Sequence, residues 1–187
     1  LTGYTVLDCG ANFGVFTRSA LRRGAAKVVA IDLSPDSVEC LRRNFASEIK
    51  AGKVIVYPKG VWDKDDTLTL FVHNGFQSGN SVVISEDRTA SIPVPLTTID
   101  HLVSELGLDR VDFIKMDIEG AEQKALAGAR RTITRFRPRL AIAAYHLPDD
   151  VKRIPEIVRD MGAYSLSLGC KLHEGVVLPD IALFAPQ

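Results

Sequence analysis

Apolar runs of strand length alternate along this chain with stretches of helical periodicity. Residues 4–9 form the first run, which closes on Gly10. A helical stretch follows from about residue 14 to residue 23 and stops at Gly24, a residue suited to the left-handed end of a helix. Residues 27–31 predict a second strand. Ser34 and Pro35 predict the next helix start, with serine as N-cap and proline in the first position. Val38, Leu41 and Phe45 follow at helical spacing, and residues 54–57 predict a third strand.

The rhythm then changes. Residues 67–72 and 92–96 alternate as strands do, and Pro93 and Pro95 predict an edge, because proline gives no donor to a ladder. The stretch between them is rich in Gly, Asn and Ser. This predicts a hairpin inserted at about residues 66–97. Its long connection carries His73, Asn74, Gln77, Ser78, Asn80 and Ser81, a polar set expected to serve substrate specificity. The alternation resumes with a helix over 99–106, a strand over 111–116, a helix over 120–136, a strand over 140–145 and a helix over 151–161. Two closing strands, 164–168 and 181–184, are joined by a link broken at Gly169, Gly175 and Pro179. No crossover helix fits that link, so the pair is expected to be antiparallel. Strands alternating with helices predict βαβ units and a doubly wound, mostly parallel α/β sheet.

Composition narrows the class. The 187 residues suit one domain over the whole chain, and 46% hydrophobic with 25% charged residues is the balance of a globular protein. Lys+Arg and Asp+Glu both number 23, so no global field recruits a polyanion, and neither nucleic acid nor membrane is expected as partner. Arg130, Arg131, Arg135, Arg137 and Arg139 read as a solvated helix end. Three cysteines without paired spacing predict neither disulfides nor a zinc site. No apolar stretch is long enough to span a bilayer and no signal peptide is visible, so the expected location is cytoplasmic. The chain starts at Leu1 almost directly on a strand, which predicts that its natural N-terminal segment is missing.

The candidate chemistry lies at strand ends. Asp8-Cys9-Gly10-Ala11-Asn12-Phe13-Gly14 follows a strand and opens a helix, whose free N–H groups favour a carboxylate or other anion. Gly10 allows a tight turn and a close backbone approach by a ligand. About twenty residues on, Asp32 ends the second strand, where a carboxylate accepts from ribose hydroxyls. A dinucleotide fingerprint would need glycine at 12 and 15, and the chain has Asn12 and Val15. The G-x-x-x-G spacing, with an acid two residues before it, is instead the pattern of S-adenosylmethionine enzymes. A bare βα turn with no ligand is the competing interpretation.

Asp117 and Glu119 follow the strand over 111–116, and Tyr145-His146 follows the next one. Ligands in open α/β sheets bind outside the carboxyl ends of the strands, so these side chains are expected on one rim. His146, then Asp117 and Glu119, are the candidate bases; a histidine near its usual pKa is largely neutral at neutral pH and can accept a proton. The trio also suits a metal, although a metal-free site is the reading taken. Glu122 is expected to serve the helix dipole. Lys59-Gly60-Val61-Trp62-Asp63 follows the third strand and is expected to wall an adenine pocket, with Gly60 and Val61 in contact and Leu33 beside Asp32.

Together these segments resemble the FkbM family of methyltransferases. The matching stretches are residues 6–14, 31–35 with 41–44, 60–63 and 114–122, and Thr97-Thr98-Ile99-Asp100 fits the segment before the fourth core strand. The resemblance covers about residues 3–146. It implies a class I methyltransferase fold, Rossmann-like and seven-stranded, with strand order 3-2-1-4-5-7-6 and the seventh strand antiparallel. S-adenosylmethionine is the implied cofactor, held by Asp8, Gly10, Asn12, Phe13, Gly14, Asp32, Leu33, Gly60, Val61 and Asp117. The implied acceptor is a hydroxyl of a sugar or polyketide-like small molecule. The family usually has Glu followed by Pro-Asn-Pro where this chain has Asp32-Leu33-Ser34-Pro35. Two other functions remain open from the residues alone: a non-catalytic cofactor-binding module of the same fold, and a nicotinamide-dependent oxidoreductase. The oligomeric state has no signature.

Overall fold

The structure, a computed structural model, describes residues 1–72, 90–173 and 176–187. The loop expected to carry specificity, residues 73–89, lies outside the described residues. In chain order the first elements are β1 (Thr5–Cys9), α1 (Val15–Arg22), β2 (Lys27–Ile31), α2 (Pro35–Asn44), α3 (Ala46–Lys50) and β3 (Val54–Tyr57). Next come β4 (Gly60–Val61), β5 (Asp66–Val72), β6 (Ala90–Thr97) and α4 (Ile99–Glu105). The chain continues with β7 (Phe113–Met116), α5 (Glu122–Ala127), α6 (Arg130–Phe136) and β8 (Arg139–Ala143). It closes with α7 (Asp150–Arg159), β9 (Tyr164–His173) and β10 (Val176–Pro186).

The main sheet has seven strands in the order β3-β2-β1-β7-β8-β10-β9. Its first five are parallel, and β10 runs antiparallel to both β8 and β9. This is the expected order 3-2-1-4-5-7-6 with the seventh strand reversed. Because successive strand residues face opposite sides, Val29 and Ile31 join Ile99, Leu126, Ile133 and Ile154 from α4–α7 on one face. On the other face Ala30 packs with Leu41 of α2 and with Phe45 just past its end, while Val6 and Val28 pack with Ala20 of α1. Helices on both faces make the sheet doubly wound.

The hairpin forms a second sheet in the order β4-β6-β5. β4, at Gly60 and Val61, was not expected as a strand. It pairs β6 only at Leu96 and Thr97, so the prolines at 93 and 95 sit where, among the described residues, just β5 is alongside.

One expected helix, over 120–136, is two. Gly128 stands where an added Cβ would lie 2.0 Å from the Trp62 carbonyl oxygen, and the chain turns there. The second helix then starts afresh under a borrowed cap: Asp100 accepts from the N–H groups of Arg131 and Thr132 at 3.0 and 2.7 Å. The two last strands are also longer than expected, since β9 and β10 carry their pairing out to His173 and Val176. No helix among the described residues is long and apolar enough to cross a membrane, and Cys9, Cys40 and Cys170 are free.

Candidate functional site

At the carboxyl ends of β1, β2 and β7 the chain encloses a cavity of about 470 Å³, within the range of about 300–1,000 Å³ common to small-molecule sites. Its floor is the turn after β1. Gly10, Asn12 and Gly14 all take left-handed backbone angles, with φ of 77°, 49° and 88°. The N–H groups of Gly10 and Ala11 both donate to the Ile31 carbonyl at 3.0 Å, which ties the turn to the end of β2.

Glycine at 10 makes the tight turn expected of it, and a Cβ there would lie 2.0 Å from the Asp117 carbonyl oxygen, so it also lets the end of β7 approach while its backbone lines the cavity. Gly14 does not line the cavity; a Cβ on it would strike the Phe45 ring at 2.2 Å. Asp8 does not line it either. It is fully buried, accepts from the Thr17 hydroxyl at 2.6 Å and lies 3.4 Å from Lys115 Nζ. Asp8 and Gly14 therefore brace the turn from behind.

The other expected cofactor residues do reach the cavity. Gly10, Asn12, Phe13, Asp32, Leu33, Gly60, Val61 and Asp117 all line it, as does Glu119. Asp32 is held by two backbone donors: Asn12 N–H reaches Oδ2 at 2.8 Å and Ser34 N–H reaches Oδ1 at 3.0 Å. Each oxygen keeps a lone pair for a further donor. Burial pushes the Asp32 carboxyl above its ordinary value, against the pull of those two N–H groups. Asn12 Oδ1 is buried without a hydrogen-bond partner.

Lys115 was missed from the sequence, although it lines the cavity. It pairs in register with Asp8 across β1 and β7, so the two side chains share a face of the sheet. Its ammonium donates to the carbonyls of Gly10 and Cys9 at 2.8 and 3.2 Å. Strand alternation carried that signal: Ile114 and Met116 are buried, which leaves Lys115 on the face of Asp8.

Beyond β7 stands an acidic rim. Glu119 adopts φ 55°, a rare conformation for a residue with a side chain, and Gly120 follows at φ 95°. Glu122 is fully buried, and its role exceeds the dipole one expected: its carboxylate accepts from Ile118 N–H at 2.8 Å and Gly120 N–H at 3.0 Å. Thus Glu122 shapes the turn that presents Asp117 and Glu119. Burial raises the Glu119 carboxyl, and Asp117 and Glu122 add to the rise while His146 opposes it.

His146 is brought to this rim but not to the cavity wall. Its side chain is 7% exposed; Nδ1 is 3.0 Å from Glu122 Oε1, and Nε2 is 3.6 Å from Asp117 Oδ1 and 3.5 Å from Glu119 Oε2. Burial disfavours the imidazolium, yet Glu122, Glu119 and Asp117 together outweigh it and raise its pKa above the usual value. The histidine expected as a base thus stands among three carboxylates that favour its charged form. Tyr145 donates its hydroxyl to Asp117 Oδ1 at 3.1 Å. Candidate ligand atoms of Asp117, Glu122 and His146 all lie within 4.8 Å of one another.

Comparison with known proteins bears on this geometry. The model of the methyltransferase FkbM domain matches residues 8–164, further along the chain than the motifs alone reach. The chain is 25% identical over 154 residues to methyltransferase sdnD of Sordaria araneosa, covering 66% of this chain and 59% of that protein. It is 24% identical over 148 residues to 2-O-methyltransferase NoeI of Sinorhizobium fredii, covering 71% and 60%. The chain thus spans about three fifths of both relatives. Among solved structures, methyltransferase FkbM from Methylobacillus flagellatus superposes with a TM-score of 0.72 at 23% identity, over 97% of this chain and 43% of that one.

Proposed function

Since the chain belongs to the FkbM methyltransferase family, we propose that it moves a methyl group from S-adenosylmethionine to a hydroxyl of a small acceptor, a sugar or polyketide-like compound. The observation that carries this is the cavity itself, which has a pinned carboxylate, Asp32, at one end and the Asp117–Glu119 rim at the other. The cofactor supplies an electrophilic methyl group on a sulfonium, which any nucleophile must reach in line.

The residues present fit a nucleoside carrying an amino acid. Asp32 keeps one acceptor site on each oxygen for the two ribose hydroxyls. Val61, with the Gly60 backbone, offers an apolar wall to a base. Asn12 Oδ1, buried and without a partner, suits a donor on the ligand. Asp117 and Glu119 are then positioned to receive the acceptor hydroxyl, and holding the reactants in line supplies much of the rate enhancement. The relative NoeI is a 2-O-methyltransferase by name, in keeping with oxygen as the acceptor atom.

Calorimetry tests the cofactor. S-adenosylhomocysteine should bind at micromolar scale, whereas heat with NAD and none with S-adenosylhomocysteine would overturn the reading. Asp32→Ala should weaken binding by about 1–3 kcal/mol, the worth of hydrogen bonds to a charged group. The same titration run against pH reports on ionisation. Because burial holds the Asp32 carboxyl above 3.8, affinity should fall on acidification sooner than an ordinary aspartate would allow. Above that transition the carboxylate is charged and affinity should be flat. A pH profile unchanged in Asp32→Ala would remove Asp32 from the site.

A further inference from the structure

We propose that the acceptor meets this rim as a vicinal diol, with one hydroxyl donating to Asp117 and the hydroxyl on the adjacent carbon donating to Glu119. The inference rests on the methyl-transfer reading and narrows the acceptor to compounds with two neighbouring hydroxyls. Both carboxylates line the cavity. Asp117 Oδ1 lies 3.6 Å and Glu119 Oε2 3.5 Å from His146 Nε2. The two oxygens are therefore no more than about 7 Å apart, a span that adjacent hydroxyls reach with O–H···O⁻ bonds of about 2.5–2.7 Å each. Glu119 stands outside the tighter group of Asp117, Glu122 and His146, so the rim presents two acceptor points to the cavity.

Charge points to neutral donors. The imidazolium of His146 already stands as the positive partner of the three carboxylates. An ionised carboxylate has about four lone-pair sites, and the Tyr145 hydroxyl takes one of those on Asp117. A monohydric alcohol would use one carboxylate and press its carbon skeleton against the other, and a buried acceptor deprived of water without a donor is costly.

The backbone is built to keep the second carboxylate in place. Glu119 holds a left-handed conformation that a side chain disfavours. Glu122 enforces it by accepting from the N–H groups of Ile118 and Gly120 on either side. Phe13, exposed and lining the same cavity, offers a ring for the apolar face of the diol's carbon skeleton.

Two-point binding limits the product to one methyl group per diol. The reacting hydroxyl gives its proton to the carboxylate it meets, its oxygen bonds the methyl carbon, and the C–S electron pair stays on sulfur. The methylated oxygen then has no proton to donate, so the ether cannot return in the same pose.

The test is ligand-observed NMR titration of cis-1,2-cyclohexanediol, its monomethyl ether and cyclohexanol into protein saturated with S-adenosylhomocysteine. The diol should bind about tenfold or more tightly than either of the others, the worth of one hydrogen bond to a charged group. Asp117→Asn and Glu119→Gln should each narrow that preference to within about threefold, and the Glu119 side chain is exposed enough for its replacement to leave the fold intact. Glu39→Gln, on the exposed face of α2, should keep the preference. Equal affinity for the three compounds, a preference that survives both rim variants, or no binding of the diol at all overturns the inference. Turnover with S-adenosylmethionine separates it from the reading beneath it. Methylation of cyclohexanol as fast as of the diol sinks the diol alone; selective diol binding without any methyl transfer sinks the methyl-transfer reading and leaves the two-point site standing.

Discussion

His146→Ala is expected to lower kcat by about 10²–10⁴-fold while the dissociation constant of S-adenosylhomocysteine stays within a few-fold of wild type. The split follows from position. The imidazole does not line the cavity, so the cofactor should not register its loss directly. The rim should register it fully. Without the ring, Asp117, Glu119 and Glu122 lose the imidazole that stands 3.0–3.6 Å from each of them, and neighbouring carboxylates then repel with less compensation. Steady-state kinetics on sugar and polyol acceptors, with calorimetry on the same samples, reads both quantities. Melting must be followed alongside, because a buried carboxylate left unpaired is destabilising. His146→Gln preserves size and polarity, and should lose turnover with a smaller drop in melting temperature. A kcat within threefold of wild type in both variants would remove the rim from catalysis.

Gly10→Ala is expected to cost about 3–5 kcal/mol of stability, which for a chain of this size is a fall in melting temperature of about 6–20 °C. The new methyl carbon would sit 2.0 Å from the Asp117 carbonyl oxygen and 3.2 Å from Ile118 Cγ2. Neither can yield cheaply, since Asp117 N–H also donates to the Cys9 carbonyl at 3.2 Å and locks the end of β7 against β1. A left-handed φ of 77° adds its own penalty once a side chain is present. Scanning calorimetry with and without S-adenosylhomocysteine discriminates two roles. A collapse of both stability and binding fits the approach of strands. Intact melting with lost binding would mean that glycine is there for the ligand after all.

The sheet was legible because its strands are buried on both faces and so read as near-continuous apolar runs bounded by turn residues. Residues 27–31 and 54–57 match their strands without correction. Errors arose where distant parts of the chain decide local structure. Nothing near residue 128 announces that the Trp62 carbonyl will need its space, or that Asp100 will cap a second helix. The same holds for the site. Asp32, Asp117 and Glu119 were readable from strand ends alone. That Asp8 and Gly14 turn inward, and that His146 stops one layer short of the cavity, depends on Thr17, Phe45 and Glu122, partners that no spacing rule connects. Lys115 needed the pairing register of β1 with β7 before its strand face had meaning.

The left-handed backbone at Glu119 ties the protein's thermal tolerance to its rim. A glycine there would relieve about 1–2 kcal/mol of steric cost against about 0.5–1 kcal/mol of extra freedom in the unfolded chain. Selection for heat resistance alone would therefore tend to drive residue 119 toward glycine and delete a rim carboxylate in the same step. Asn12, at φ 49° on the opposite wall, is less exposed to that pressure, because asparagine tolerates this conformation far better than glutamate does. Laboratory evolution run under heating without a turnover screen should thus erode this cavity from the acidic side first.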